Sequence, residues 1–173
     1  KRQLENARPF FDHLFETMNT IASNNKEFSS MFTKSNGAKA SLYIVIAGDR
    51  GLAGGYNSNI LKLAAKEIDK ENDIGIAIGN KAKDYLKRHG YKVELERVAS
   101  AENLDFADME DISKVVIALY RNRKIGGAHI IYTDYLTTLT QEPGMKPILP
   151  LDFVKDKDAN TTVGELIYYY PAQ

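Results

Sequence analysis

The sequence predicts an α/β domain: a mainly parallel sheet with helices on both of its faces. Three observations predict it. Short runs rich in Ile, Val and Ala alternate along the chain with longer segments whose apolar residues recur every three or four positions, the separate periods of strand and helix. The runs at 42–47 and 74–78 are apolar throughout and do not alternate, as strands covered on both faces are. A regular succession of strand and helix favours parallel neighbours joined by right-handed crossovers.

The first element is a helix at about residues 4–23, because Phe11, Leu14, Phe15, Met18 and Ile21 fall on one face at helical spacing. Pro9 lies inside that pattern and predicts a kink or a late start. The polar residues 24–39 read as a loop or a short frayed helix. Residues 42–47 (LYIVIA) are the first strand, ended by Gly48. Ile60, Leu61, Leu63, Ala64 and Ile68 then mark a second helix. Residues 74–78 are a short buried strand. Residues 82–89 are a helix with Lys87, Arg88 and His89 in its last turn and Gly90 closing it.

Residues 92–98 alternate polar and apolar, as a half-exposed strand does. A helix at 109–123 carries Ile112, Val115, Val116, Leu119 and Tyr120 on one face, and residues 128–133 form a strand followed by β-rich sequence to 140. Pro143, Pro147 and Pro150 make the next stretch an edge strand or an extended segment, and residues 165–170 are a last strand-like run. The order is Rossmann-like and three-layered, with a leading helix that need not belong to the sheet's helical layer. There is no internal repeat.

Bulk properties narrow the function. A chain of 173 residues suits one domain that buries roughly 70% of its unfolded surface. Lys plus Arg and Asp plus Glu number 23 each, so the net charge is zero and no overall footprint for nucleic acid or an anionic membrane is expected. The absence of cysteine excludes disulfides, thiolate catalysis and Cys-ligated metals. No run reaches the ~20 apolar residues of a membrane span, so no direct membrane insertion is expected. Lys1 at the start and Gln173 just after a hydrophobic stretch predict a longer natural polypeptide.

The most suggestive local feature is Gly48-Asp49-Arg50-Gly51-Leu52-Ala53-Gly54-Gly55-Tyr56-Asn57, between the first strand and a helix. Open α/β sheets bind ligands there, and helix N-termini suit phosphate. The spacing is G-x-x-G-x-x-G-G, not G-x-G-x-x-G, and no Gly-Lys-Ser/Thr follows. The second strand ends in Gly79-Asn80, with no acidic residue to hold a ribose. A structural loop explains the same residues: glycines for positive φ, Asn57 or Asn59 to cap the helix, Asp49 and Arg50 to brace the turn. The alternative is a nucleotide- or phosphate-binding enzyme using the loop at 48–55.

IVIAGDRGLAGGYNSNI, residues 44–60, resembles the loop segment of F-type ATP synthase gamma subunits, close to S-D-R-G-L-C/A-G-G-x-N. Gly48 stands where the family often has Ser, and Ala53 where many members have Cys. Tyr132-Thr133-Asp134-Tyr135, Gln141-Glu142-Pro143 and Leu149-Pro150-Leu151 are similar to its Y-N-x-F … Q-x-P … L-P-L stretch. Lys1-Arg2-Gln3 through Ala7-Arg8-Pro9-Phe10 resembles the end of its long N-terminal helix.

The resemblance implies a non-catalytic rotor subunit with no cofactor, metal or catalytic residue of its own. Residues 1–25 would end the N-terminal helix and 40–173 would form the globular domain. Implied partners are the epsilon subunit, the polar loops of the c-ring and, through shaft helices this chain lacks, the alpha and beta catalytic subunits. The implied location is the cytoplasmic face of a bacterial cell membrane, as a peripheral part of the synthase coupling ion flow to ATP synthesis. The cysteine-bearing insertion of chloroplast members is missing.

His13, His89 and His129 are scattered without metal-ligand spacing, and no Ser/His/Asp set or carboxylate pair stands out. Related subunits carry a Tyr-Glu-Pro segment facing the ring. Tyr169 and Pro171 match it, and Tyr170 replaces the glutamate. Tyr168, Tyr169 and Tyr170 are therefore the candidate partner-binding residues, with strand tyrosines facing their own core as the alternative. The stripe on the first helix either packs on the domain or awaits another helix, in which case the chain would expose an apolar patch and associate.

Overall fold

Strands form where apolar residues can be covered from both sides, and four of the five strands here share one parallel ladder. The computed structural model describes residues 7–23, 32, 34–48, 56–99, 101–135 and 141–150. In chain order the elements are α1 (Ala7–Ser23), β1 (Ser41–Ile46), α2 (Tyr56–Glu67), β2 (Ile74–Ile78) and α3 (Asn80–Arg88). They continue with β3 (Lys92–Arg97), a 3-10 turn (Ala101–Asn103), α4 (Phe106–Arg121), β4 (Gly127–Tyr135) and β5 (Gln141–Leu149). The sheet order is β3-β2-β1-β4-β5. The first four strands run parallel, with Ile44 level with both Ile76 and Ile130, and β5 pairs antiparallel with β4.

Handedness places the helices. From β1 the chain steps outward to β2 and β3, then returns past β1 to β4. Crossovers of one hand put α2 and α3 on one face and α4 on the other. The side chains agree. Leu42, Ile44, Ile46, Ile76, Ile78 and Ile130 join a core with α4's Ile112, Val116 and Tyr120. Tyr43, Val45, Ala77 and Ile131 face Ile60 and Ala64 of α2 and Ala82 and Leu86 of α3.

α1 belongs to the α4 layer. Phe11, Leu14, Phe15 and Met18 are all at most 1% exposed, and the Phe11 ring meets Tyr132 of β4 edge-on at 5.5 Å. The stripe from Phe11 to Met18 therefore packs on the domain, and the leading helix is part of the three-layer body, while the Ile21 side chain lies outside the described residues. Pro9 lies within the described part of α1.

Local chemistry sets the ends of the elements. Asp105 caps α4 by accepting from Asp108 N at 2.8 Å, and the Asp108 carboxylate accepts from Asp105 N in return. α3 ends where Gly90 takes φ 80°, letting Tyr91 N reach Leu86 O at 2.9 Å. β5 carries Pro143 and Pro147 and lies at the sheet's edge, where proline is tolerated. The strand-like residues 165–170 and the β-rich residues 136–140 lie outside the described residues.

Candidate functional site at the carboxyl end of the sheet

Strand order reverses between β1 and β4, so the crevice beyond their carboxyl ends is where an open α/β sheet would hold a ligand. Gly48 opens that region, and both of its backbone groups are already taken. Its N–H donates to Asn57 Oδ1 at 2.8 Å, and its carbonyl accepts from Lys81 N at 3.1 Å. Asn57 is buried in α2, and its side chain ties that helix to the end of β1.

Next to it the chain is packed backbone on backbone. Ala47 N donates to Ile78 O at 2.9 Å, and Gly79 N to Arg97 O at 2.8 Å. Gly79 has φ 95°, and a Cβ there would stand 1.7 Å from Ala47 O. Only glycine fits. Asp49, Arg50, Gly51, Gly54 and Gly55 lie outside the described residues, as do Tyr168, Tyr169 and Tyr170.

Arg97, the last residue of β3, is engaged by carboxylates of α4. Arg97 donates from Nε to Asp108 at 2.6 Å, from a terminal nitrogen to Asp111 at 2.9 Å, and to Glu96 O. Burial pushes the Asp108 carboxyl up, but the Arg97 hydrogen bond and those of Asp105 outweigh it and hold the group below its ordinary range. Arg97 thus ties β3 to the start of α4 and is not positioned to receive a phosphate.

The histidines stay apart. His13 is on the exposed side of α1, and His89 follows α3 with Nδ1 2.9 Å from Tyr85 O. His129 lies in β4, its ring stacked on Tyr43 at 5.1 Å. Burial lowers the His129 pKa, against a weaker upward pull from the Glu67 and Asp73 carboxylates, and its Nδ1 is buried without a partner. Among the described residues no group of three His, Cys, Asp or Glu could hold a metal. A surface hollow of about 320 Å³ between α1 and α4 is lined by His13, Glu16, Thr17, Thr20, Phe106 and Glu110 among others.

Two polar anchors escaped the sequence reading. Asn36 Nδ2 donates to Tyr120 O at 3.0 Å and Ile125 O at 2.8 Å, and its Oδ1 accepts from Ala38 N. Tyr120 donates its hydroxyl to Lys34 O at 2.6 Å, so the connector from α1 to β1 is bound to the end of α4. Asp73, also buried, accepts from Ser41 N at 2.9 Å and Asp69 N at 2.8 Å, fixing the start of β1. Their partners are distant in sequence or in loops, so no local pattern marks them.

A family model described as ATP synthase matches residues 1–172. The ATP synthase gamma chain of Ruminococcus albus is 38% identical over 157 residues, 88% of this chain and 54% of that protein. That of Alkaliphilus metalliredigens is 33% identical over 151 residues, 87% of this chain and 52% of that one. The sodium ion specific ATP synthase gamma chain of Acetobacterium woodii is 31% identical over 148 residues, 85% and 49% of the two chains. The chain spans about half the length of these relatives. Among solved structures it is similar to a chain of the Tetrahymena thermophila mitochondrial ATP synthase central stalk and c-ring, with TM-score 0.50 and 18% identity over 97% of this chain and 75% of that one. At that identity the likeness shows the fold alone.

Proposed function

The chain belongs to the ATP synthase gamma family, and from that premise we propose that it forms the globular foot of the rotor in an ion-translocating ATP synthase. Its work is mechanical: to grip the polar loops of the c-ring, hold the epsilon subunit, and pass torque toward the alpha and beta subunits through shaft helices beyond this chain. Residues 1–25 are the end of a shaft helix in this reading, and 40–173 the foot. The foot rides on the cytoplasmic face of a bacterial membrane, and no described helix is long and apolar enough to cross one.

The observation that carries the reading is the seating of α1. Phe11, Leu14, Phe15 and Met18 are buried against α4 and the sheet. A close-packed interior transmits strain instead of absorbing it. Turning the sheet therefore turns α1, which is what a helix continuous with a shaft requires.

Titration of the full-length subunit with epsilon from the same source, followed by calorimetry, tests this. Binding at about micromolar Kd or tighter is expected, the range of specific partners. Alanine at Tyr168, Tyr169 and Tyr170 should leave epsilon binding intact and weaken attachment to the ring. Absence of epsilon binding by the folded full-length subunit would sink the reading.

A further inference from the structure

Residues 34–40, which lead into β1, lie as a strap across the end of α4. Tyr120 donates its hydroxyl to Lys34 O at 2.6 Å, and Gly126 N donates to Ala40 O at 2.7 Å. Between them Asn36 Nδ2 donates to Tyr120 O and Ile125 O. The backbones touch as well, since a Cβ on Gly126 would stand 2.0 Å from Ala38 O. Asn36 is followed by Gly37, the only Asn-Gly pair in the sequence.

That pair has a chemistry of its own. The backbone nitrogen after an asparagine can attack the side-chain carbonyl carbon, and glycine, with no Cβ, hinders the approach least. Gly37 is exposed at φ 80°, with open space where a Cβ would lie and only a 3.4 Å contact from its N–H to Ser35 Oγ. The leaving group is held differently. Asn36 Nδ2 commits both hydrogens to carbonyl oxygens, which cannot protonate it for departure as ammonia. Its Oδ1 is fixed by Ala38 N at 2.9 Å. The nucleophile is open to solvent, and the electrophile is locked.

We propose that Asn36 is a deamidation site guarded by the closed strap, and that its reaction unlatches the strap irreversibly. When the strap lifts, Gly37 N bonds to Asn36 Cγ and gives its proton to solvent. The Cγ–Nδ2 bond breaks, and the nitrogen takes up a proton and leaves as ammonia. Water then opens the cyclic imide at either carbonyl, giving aspartate or isoaspartate. A carboxylate has no hydrogen for Ile125 O and sets a negative charge against it. Isoaspartate also lengthens the main chain by a carbon ahead of Gly37. The proposal stands whether or not the rotor reading holds.

The test holds the full-length subunit in mildly alkaline buffer, folded or in urea, while peptide mass spectrometry follows every asparagine. In urea Asn36 should react fastest. Folded, it should react at least about tenfold more slowly, because local opening is fast beside this chemistry and the open fraction sets the rate. Tyr120→Phe keeps the ring, removes the bond to Lys34 O, and should quicken the loss in the folded protein but not in urea. Ile60→Val, a destabilising change in the α2 core, should not quicken it. Asn36→Asp, standing for the product, should lower the melting temperature below that of Asn36→Ala. Equal rates folded and in urea, or another asparagine reacting first in urea, would overturn the proposal. If Tyr120→Phe and Ile60→Val behave alike when folded, the strap is not the guard. An Asn36→Asp melt equal to the parent's would rule out the unlatching.

Discussion

His129 illustrates how one side chain links packing to pH. Its ring is sandwiched into the α2 face beside Tyr43, and burial holds its pKa below the ordinary value of about 6.5, with Glu67 and Asp73 only partly offsetting this. The unfolded chain therefore takes up the proton first. Stability should fall as pH drops below about 6.5 and level off once the folded state also protonates. His129→Phe keeps a stacking ring and removes the titration. Urea midpoints at pH about 7.5 and about 5.5 should converge for that variant and diverge for the parent. An equal drop in both would remove His129 as the cause. Gly79 makes the complementary point about backbone: the Ala47 carbonyl occupies the space any side chain would need.

At the scale of elements, the joint between α1 and the sheet depends on a loop residue. Asn36 satisfies two carbonyls at the end of α4 and one amide of its own connector. Asn36→Ala removes the side-chain donor of the Ile125 carbonyl, while Tyr120 O keeps the Arg123 amide, and should cost about 1–3 kcal/mol. A chemical denaturation series measures it, and a loss below about 0.5 kcal/mol, the range of ordinary surface changes, would show the joint to be held by apolar packing alone.

Elements of this kind divide what the sequence could reveal. β1 and β2 were legible because strands covered on both faces are apolar throughout, and the prolines of β5 announced an edge. The seating of α1 was not, since a helical stripe states which face is buried and not against what. Asn36 sat in a polar stretch read as a loop or a short frayed helix, with its carbonyl partners 84 and 89 residues away, and Asp73 sat just before a strand with nothing local to mark it. At the switch point the incomplete glycine motif was legible, while the double engagement of Gly48 by Asn57 and Lys81 needed the fold.

For the whole molecule, a net charge of zero concealed an uneven distribution between the α3 and α4 faces. It also leaves the enzyme alternative open to a direct check. A ligand bound to the native state raises the melting temperature, by about 2.7 kcal/mol of stabilisation at one hundred times its Kd. ATP or NAD at millimolar concentration should leave the melt of the full-length subunit unmoved, and a dose-dependent rise abolished by Gly51→Val would instead establish a nucleotide site. The borders of the sheet have their own consequence. In a regular ladder proline fits where its nitrogen points away from the paired neighbour, so Pro143 and Pro147 leave the outer rim of β5 short of donors. The opposite rim, β3, is studded with Lys92, Glu94 and Glu96. Among the described strands neither rim offers a ready seam to a stray strand, so copies that meet at these rims have no easy route to fibre growth.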